Sequence, residues 1–404
     1  MPKFLNGCEL SEITPSIKNI LDENIFFGPT NYAHLSGTIN GITKNIYLFM
    51  DTHSQLNEQT RCESFDSIDI TYYLYQIIKK AKTPLDFFME IRHTQLNTPI
   101  TNKRDIYLKE VINLFKSEFV IEKQNDKNIV RYSKSNSNVR LHYLDIRDHF
   151  DMFYIIHMIQ YDIFDNINLL IKNIANKKEY IDKILYYIKT IEELLMKLVR
   201  NKNEVLFNKQ DNYDKNNKNE EQKYYFNKII NKYDNIILKE KITLFIEKHF
   251  NHIINKIIGY IIEVKPYIEY YDENNKLKIK ENLQNIHDST VDIYRLFVDA
   301  YLLRRVLDKN YVNDCIVYSG SQHSVNYMYF LIKYFDFKLL KIYNTIEKDI
   351  DKLITLIKNA DFAFDIYNLV YLNEKIYLQC IQLNLFPRVH RGGNIDYFDF
   401  KLDD

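Results

Sequence analysis

The chain has 404 residues, enough to bury a large core and to hold more than one domain. Lys and Arg total 54, as do Asp and Glu, so the protein as a whole has no electrostatic claim on nucleic acid or on an anionic membrane. Four cysteines, Cys8, Cys62, Cys315 and Cys380, stand far apart with no CxxC pair, which argues against a disulfide scaffold or zinc knuckle and for a reduced intracellular protein.

In chain order, Gly41 marks a hairpin turn after an extended stretch at 33–39, and Ile46 to Met50 is a strand running into Asp51-Thr52-His53. Asp69 caps a predicted helix over 70–81, with apolar residues recurring at Tyr73, Leu74, Ile77 and Ile78. A second strand, Pro84 to Glu90, follows, and this strand, helix, strand order predicts a right-handed crossover with the ends near His53 and Glu90 as neighbours. Residues 104–120 form an amphipathic helix, 125–138 are polar and read as loop, and 139–144 are extended, ending at Asp145-Ile146-Arg147-Asp148-His149.

Helical periodicity recurs over 152–174, 180–200, 224–260 with an interruption, and 289–308. The stretch 208–221 carries almost no apolar side chains and is expected to be a flexible loop. Ile316 to Ser319 is a strand leading into Gly320-Ser321-Gln322-His323, with a helix over 325–334 and a further strand at 337–343. The fold expected is α/β, a mostly parallel central sheet flanked by helices. Its two parts, 1–150 and 286–404, are separated by a large helical insertion at 151–285.

No apolar run reaches the ~18 uncharged residues of a membrane span, and residues 1–9 lack a secretory pattern, so a soluble, cytoplasmic protein without a transmembrane segment is expected. Composition is biased to Ile, Asn and Lys, with 33 tyrosines, eight glycines and no tryptophan. That bias resembles the imprint of an AT-rich genome, as in parasites or large DNA viruses, and implies an address in host cytoplasm or virion.

Chemistry concentrates at strand ends. Asp51 and His53 are an i,i+2 pair that an extended segment turns to one face, so that one binds a metal or substrate while the other orients it; a capping Asp before a surface His gives the same letters. Gly320 allows a tight reversal and leaves backbone N–H groups at a helix start for developing negative charge, with His323 as general base or ligand; a glycine turn with a packed histidine is the plainer alternative. Glu90, after two phenylalanines and a methionine, needs a partner, which is Arg92 or Arg147 if structural and a metal or histidine if functional. Arg147 suits bidentate contact with a carboxylate or phosphate, or an internal ion pair at a helix start. His249 and His252 lie i,i+3 without HExxH spacing, and His142 has no partner by spacing.

This order, strand to His53, strand to Glu90, a distant arginine and a late strand to Gly320-x-x-His323, resembles the superfamily of TraB-like and TIKI-type metalloproteases, ChaN-like proteins and erythromycin-esterase-like enzymes. In that superfamily the first motif carries a glycine that Phe49-Met50-Asp51-Thr52-His53 lacks. The resemblance implies a cleft lined by His53, Glu90, Arg147 and His323 and a divalent metal held by Asp51, His53, Glu90 and His323, activating water for hydrolysis. A metal-free variant uses His53 as general base oriented by Glu90. The competing expectation is a non-catalytic virion or host-interaction protein that keeps the scaffold. Substrate and protein partner are unspecified, and a homodimer is only the generic expectation. No P-loop, Gly-x-Gly-x-x-Gly or basic stripe supports a nucleotide or nucleic-acid enzyme, and the motifs that should follow Asp-x-His in a metallophosphoesterase are missing.

Overall fold

The computed structural model describes residues 25–52, 67–92, 106–124, 127–146, 151–172, 176–207, 229–370 and 380–382. Strand β1 (Ile25–Phe27) precedes a hairpin of β2 (Asn31–Ile39) and β3 (Ile42–Asp51). Its turn holds Asn40 at φ 53° and Gly41 at φ 77°, the left-handed pair that Asn-Gly favours between strands of right-handed twist. β4 (Ser67–Asp69) runs into α1 (Ile70–Lys80), where the Asp69 carboxylate accepts the Thr71 N–H at 2.7 Å. Next come β5 (Leu85–Arg92), α2 (Ile106–Glu118), β6 (Phe119–Gln124), β7 (Lys127–Ser133) and β8 (Val139–Asp145). Long helices follow: α3 (Asp151–Lys172), α4 (Lys177–Phe207), α5 (Ile236–Glu269) and α6 (Lys276–Leu307). The described chain ends with β9 (Asp314–Gly320), α7 (Ser321–Phe335), β10 (Lys338–Tyr343), α8 (Ile350–Asn359), α9 (Tyr367–Val370) and β11 (Cys380–Gln382).

The chain divides into two compact units, Met1–Leu144 with Lys309–Asp404, and Asp145–Asp308. In the first, six strands form one sheet in the order β10-β2-β3-β9-β5-β8. β9 is parallel to both β3 and β5, whereas β2 is antiparallel to β3 and to β10, so β10, β3, β9 and β5 point one way and β2 runs against them. The architecture is therefore mixed α/β with a mostly parallel sheet. The expected adjacency of the β3 and β5 ends is corrected here: β9 inserts between them. Its Cys315 to Gly320 are buried without alternation, the pattern of a strand covered on both faces, and this suits the central position.

One face of the sheet carries Tyr47, Phe49, Phe87, Met89, Ile316 and Tyr318 in a common core with Ile70, Leu74 and Ile77 of α1 and Val111 and Phe115 of α2. The alternate residues Leu48, Met50, Val317 and Phe88 are equally buried, and α7 packs on β2, β3 and β9. Smaller sheets, β11-β1-β4 and β6-β7, complete the unit. The polar stretch at 125–138 contains β7 rather than loop alone. Its pairing with β6 is a backbone ladder, to which side-chain polarity is blind, and the Glu118 carboxylate closes the base by accepting from the Ser133 hydroxyl and the Ser135 N–H.

Gly37 in β2 has no room for a side chain: a Cβ there would stand 2.4 Å from Cδ2 of Phe337, which is 2% exposed. Gly37→Ala is expected to destabilise this unit by about 1–3 kcal/mol, because a buried ring must leave its rotamer. Equilibrium urea unfolding checks this, and a variant as stable as the parent sinks it.

The helical unit is built on apolar stripes. In α5 the buried residues Leu238, Ile242, Phe245, Ile246, Phe250, Ile254, Ile257, Ile261 and Val264 recur at helical spacing. The start of α5 is capped from a distance by Asp308, whose carboxylate accepts the Asp234 and Asn235 N–H groups at 2.9–3.0 Å. This unit ends after α6 rather than at residue 285, because the buried stripe of α6 continues from Ile279 and Ile286 through Ile293 to Leu303. The loop expected at 208–221 lies outside the described residues.

Each unit buries a histidine. Burial pulls the His34 imidazole down from 6.5 to about 4, with Asn45 offsetting part of the effect, and burial does the same to His249, whose Nδ1 meets the Phe245 carbonyl at 2.9 Å. A histidine with a depressed folded pKa is neutral when folded and binds a proton when unfolded below pH 6.5. Stability therefore falls as pH drops from about 6.5 towards 4 and is not lowered further by that group below 4. His34 alone should destabilise its unit by about 2 kcal/mol between pH 7 and pH 5. His34→Phe, which keeps the stack on Tyr47 at 4.3 Å, should flatten that part of the pH dependence. Parallel pH curves of urea midpoints for parent and variant are the contrary result.

Candidate active site

Because β3, β9 and β5 are parallel neighbours, their carboxyl ends fall at one edge of the sheet, with Asp51 paired to Gly320 and Met89 to Tyr318. Gly320 is the N-cap of α7, which places His323 in the first turn of that helix. Its backbone, φ −56° and ψ 147°, is open to any residue, so the turn does not use the conformational freedom of glycine.

Glu90 joins the two motifs. Its Oε2 accepts the Gly320 N–H at 2.6 Å, and its Oε1 lies 3.4 Å from His323 Nε2. The Glu90 and His323 side chains are 9% and 10% exposed, so the pair is largely shielded from solvent. The His323 ring lies 6.2 Å from that of Tyr327, one turn on. The Gly320 amide expected to await negative charge is already taken by a carboxylate of the chain itself. The partner of Glu90 foreseen as Arg92, Arg147, a metal or a histidine is, among the described residues, the backbone of Gly320 together with His323.

Asp51 is 1% exposed and belongs to a different set of contacts. Tyr318 Oη donates to its Oδ2 at 2.8 Å, and Ser321 Oγ donates to its carbonyl at 2.9 Å. Strand alternation explains the separation. Asp51 is two residues beyond Phe49 and shares the face of Phe49, Tyr318 and Met89, whereas Glu90, one residue beyond Met89, is on the other face. Among the described residues no group of three or more His, Cys, Asp or Glu side chains is placed to hold a metal ion. His53, Arg147 and His149 lie outside the described residues. Among the described residues, the groups that meet on the Glu90 side are one carboxylate and one imidazole.

A second polar cluster sits near the opposite, amino end of the sheet and was not foreseen. Asp86, fully buried, accepts from Arg140 Nε at 2.8 Å and Nη2 at 2.6 Å and meets His142 Nε2 at 2.7 Å. Arg140 also donates to the Tyr311 carbonyl at 2.6 Å and lies over the Tyr311 ring, while His142 stacks on Phe88 at 4.5 Å. Its signal was an aspartate inside the apolar Leu85-Asp86-Phe87-Phe88 run and the period-two spacing of Arg140 and His142. Beside it Cys315 is buried, and burial pushes its thiol up. Cys380 is disulfide-bonded, so the reading of four reduced thiols does not hold for it. No described helix is long and apolar enough to cross a membrane.

The fold and this edge define an α/β protein with a buried glutamate–histidine pair where parallel strands end. The chain belongs to the family described as a family of unknown function (DUF5847), which matches residues 24–285 and 270–391. Three uncharacterized proteins of Acanthamoeba polyphaga mimivirus are similar to it. They are 31%, 28% and 26% identical over 92% of this chain and 98%, 99% and 99% of their own lengths. These relatives agree with the viral character that the composition resembled. No solved structure matches the chain significantly.

Proposed function

We propose that the protein is a metal-dependent hydrolase of the TraB- and TIKI-like type, working at the edge where Glu90 and His323 meet. The observation that carries this reading is the 3.4 Å approach of His323 Nε2 to Glu90 Oε1 across neighbouring strand ends. A divalent cation there would supply Lewis acidity and an activated water. Glu90 and His323 would hold it, with His53 as the further ligand that the resemblance implies. Asp51 is left out of this set, since its carboxylate is on the other face and bonded to Tyr318. Glu90 Oε1, 3.4 Å from His323 Nε2, would orient that imidazole. An address in host cytoplasm or virion goes with the mimivirus relatives and is part of the same proposal.

The alternative, a non-catalytic virion or host-interaction protein on this scaffold, draws on one observation: the carboxylate of Glu90 already satisfies the Gly320 amide at 2.6 Å. Zinc, manganese and cobalt content of protein purified without chelator, measured beside His323→Ala, separates the two. Stoichiometric metal lost in the variant supports the hydrolase. A parent chain that takes up none of the three favours the scaffold.

A further inference from the structure

The turn that carries His323 is held from both sides. On the β5 side the Gly320 N–H donates to Glu90, and on the β3 side Tyr318 and Ser321 donate to the side chain and the carbonyl of Asp51. A third tether crosses the start of α7, where the hydroxyls of Ser319 and Ser324, both fully buried, lie 2.9 Å apart. Tyr318, Ser321 and Asp51 are 0%, 3% and 1% exposed, so water does not compete for these bonds. While it binds the Tyr318 phenol on one face of the sheet, the Asp51 carboxylate does not share a ligand with Glu90 on the other.

We infer that Asp51 is a positioning residue: through Tyr318 and Ser321 it sets the Gly320–His323 turn against Glu90. The inference rests on Glu90 and His323 being the working pair. Outer contacts of this kind orient the groups that bind, and their loss typically weakens metal affinity by about 10–100-fold.

The test uses the full chain labelled with ¹⁵N-glycine. With eight glycines, the Gly320 amide is assigned by the resonance that Gly320→Ala removes. A short bond to a carboxylate places that proton downfield. Tyr318→Phe, Ser321→Ala and Asp51→Ala should each move it upfield, whereas Asp51→Asn, whose amide oxygen still accepts from Tyr318, should leave it near the parent position. Zinc titration of the same proteins should show Asp51→Asn within a few-fold of the parent and Asp51→Ala weaker by about 10–100-fold. The inference is overturned if the Gly320 resonance ignores Tyr318→Phe and Ser321→Ala, or if Asp51→Asn and Asp51→Ala lose zinc equally while Tyr318→Phe does not. A parent chain that binds no zinc defeats the hydrolase reading alone, and the Gly320 resonance still decides the positioning role.

Discussion

Replacing Arg140 by Met should destabilise the α/β unit by about 3–5 kcal/mol, the largest single-residue effect expected of its polar groups. The reason is the residue left behind. Asp86 is 0% exposed, and Arg140 supplies both of its charge-assisted guanidinium bonds, at 2.8 and 2.6 Å, leaving only His142 at 2.7 Å. A carboxylate stranded in the interior must keep a poorly compensated charge or take up a proton, and either state raises the energy of the fold. In a unit of this size the loss corresponds to a fall of roughly 10 °C in melting temperature. The double variant Asp86→Leu with Arg140→Met should be more stable than Arg140→Met alone, because it removes the stranded charge and its desolvation together. Thermal and urea unfolding of the three proteins measure this; a cost below about 1 kcal/mol for Arg140→Met would show that the buried pair contributes no more than a surface one.

At the opposite edge, His323→Ala and Glu90→Gln should change function far more than stability. His323→Ala removes a nitrogen ligand and should weaken zinc binding by on the order of 100-fold or more, against the about 10–100-fold expected of a residue acting from outside the ligand set. Glu90→Gln keeps an oxygen for the Gly320 N–H, so the turn loses about 1 kcal/mol of bonding while the site loses its negative charge. Zinc affinity should therefore collapse in both variants while urea midpoints stay close to the parent. Binding that survives both substitutions would remove the pair from the site, and unfolding of both variants in step with lost binding would return Glu90 and His323 to a structural role.

Local order was legible residue by residue. The turn at Gly41, the Asp69 cap and the strand into Gly320 each depend on neighbours within a few positions, and each is found where the sequence places it, whereas the helix expected over 325–334 already begins at Ser321 and so takes in His323. The candidate pair was half legible: Glu90 and His323 were both singled out, but with a free Gly320 amide and with Asp51 among the ligands. What went unread was pairing over long separations. A period-two pattern states which residues are buried, not which strand lies alongside.

Composition, periodicity and turn chemistry by themselves determined the α/β class, the order of most elements and two of the residues that meet at the sheet edge, because those properties are written within single turns and strands. Tertiary structure alone decided that β9 separates β3 from β5, that Asp86 finds Arg140 and His142, and that Asp51 faces Tyr318 while Glu90 faces His323. The physical reason is that sheet order and register are chosen by burial of whole faces, and a side chain's partner follows from which face its strand position presents.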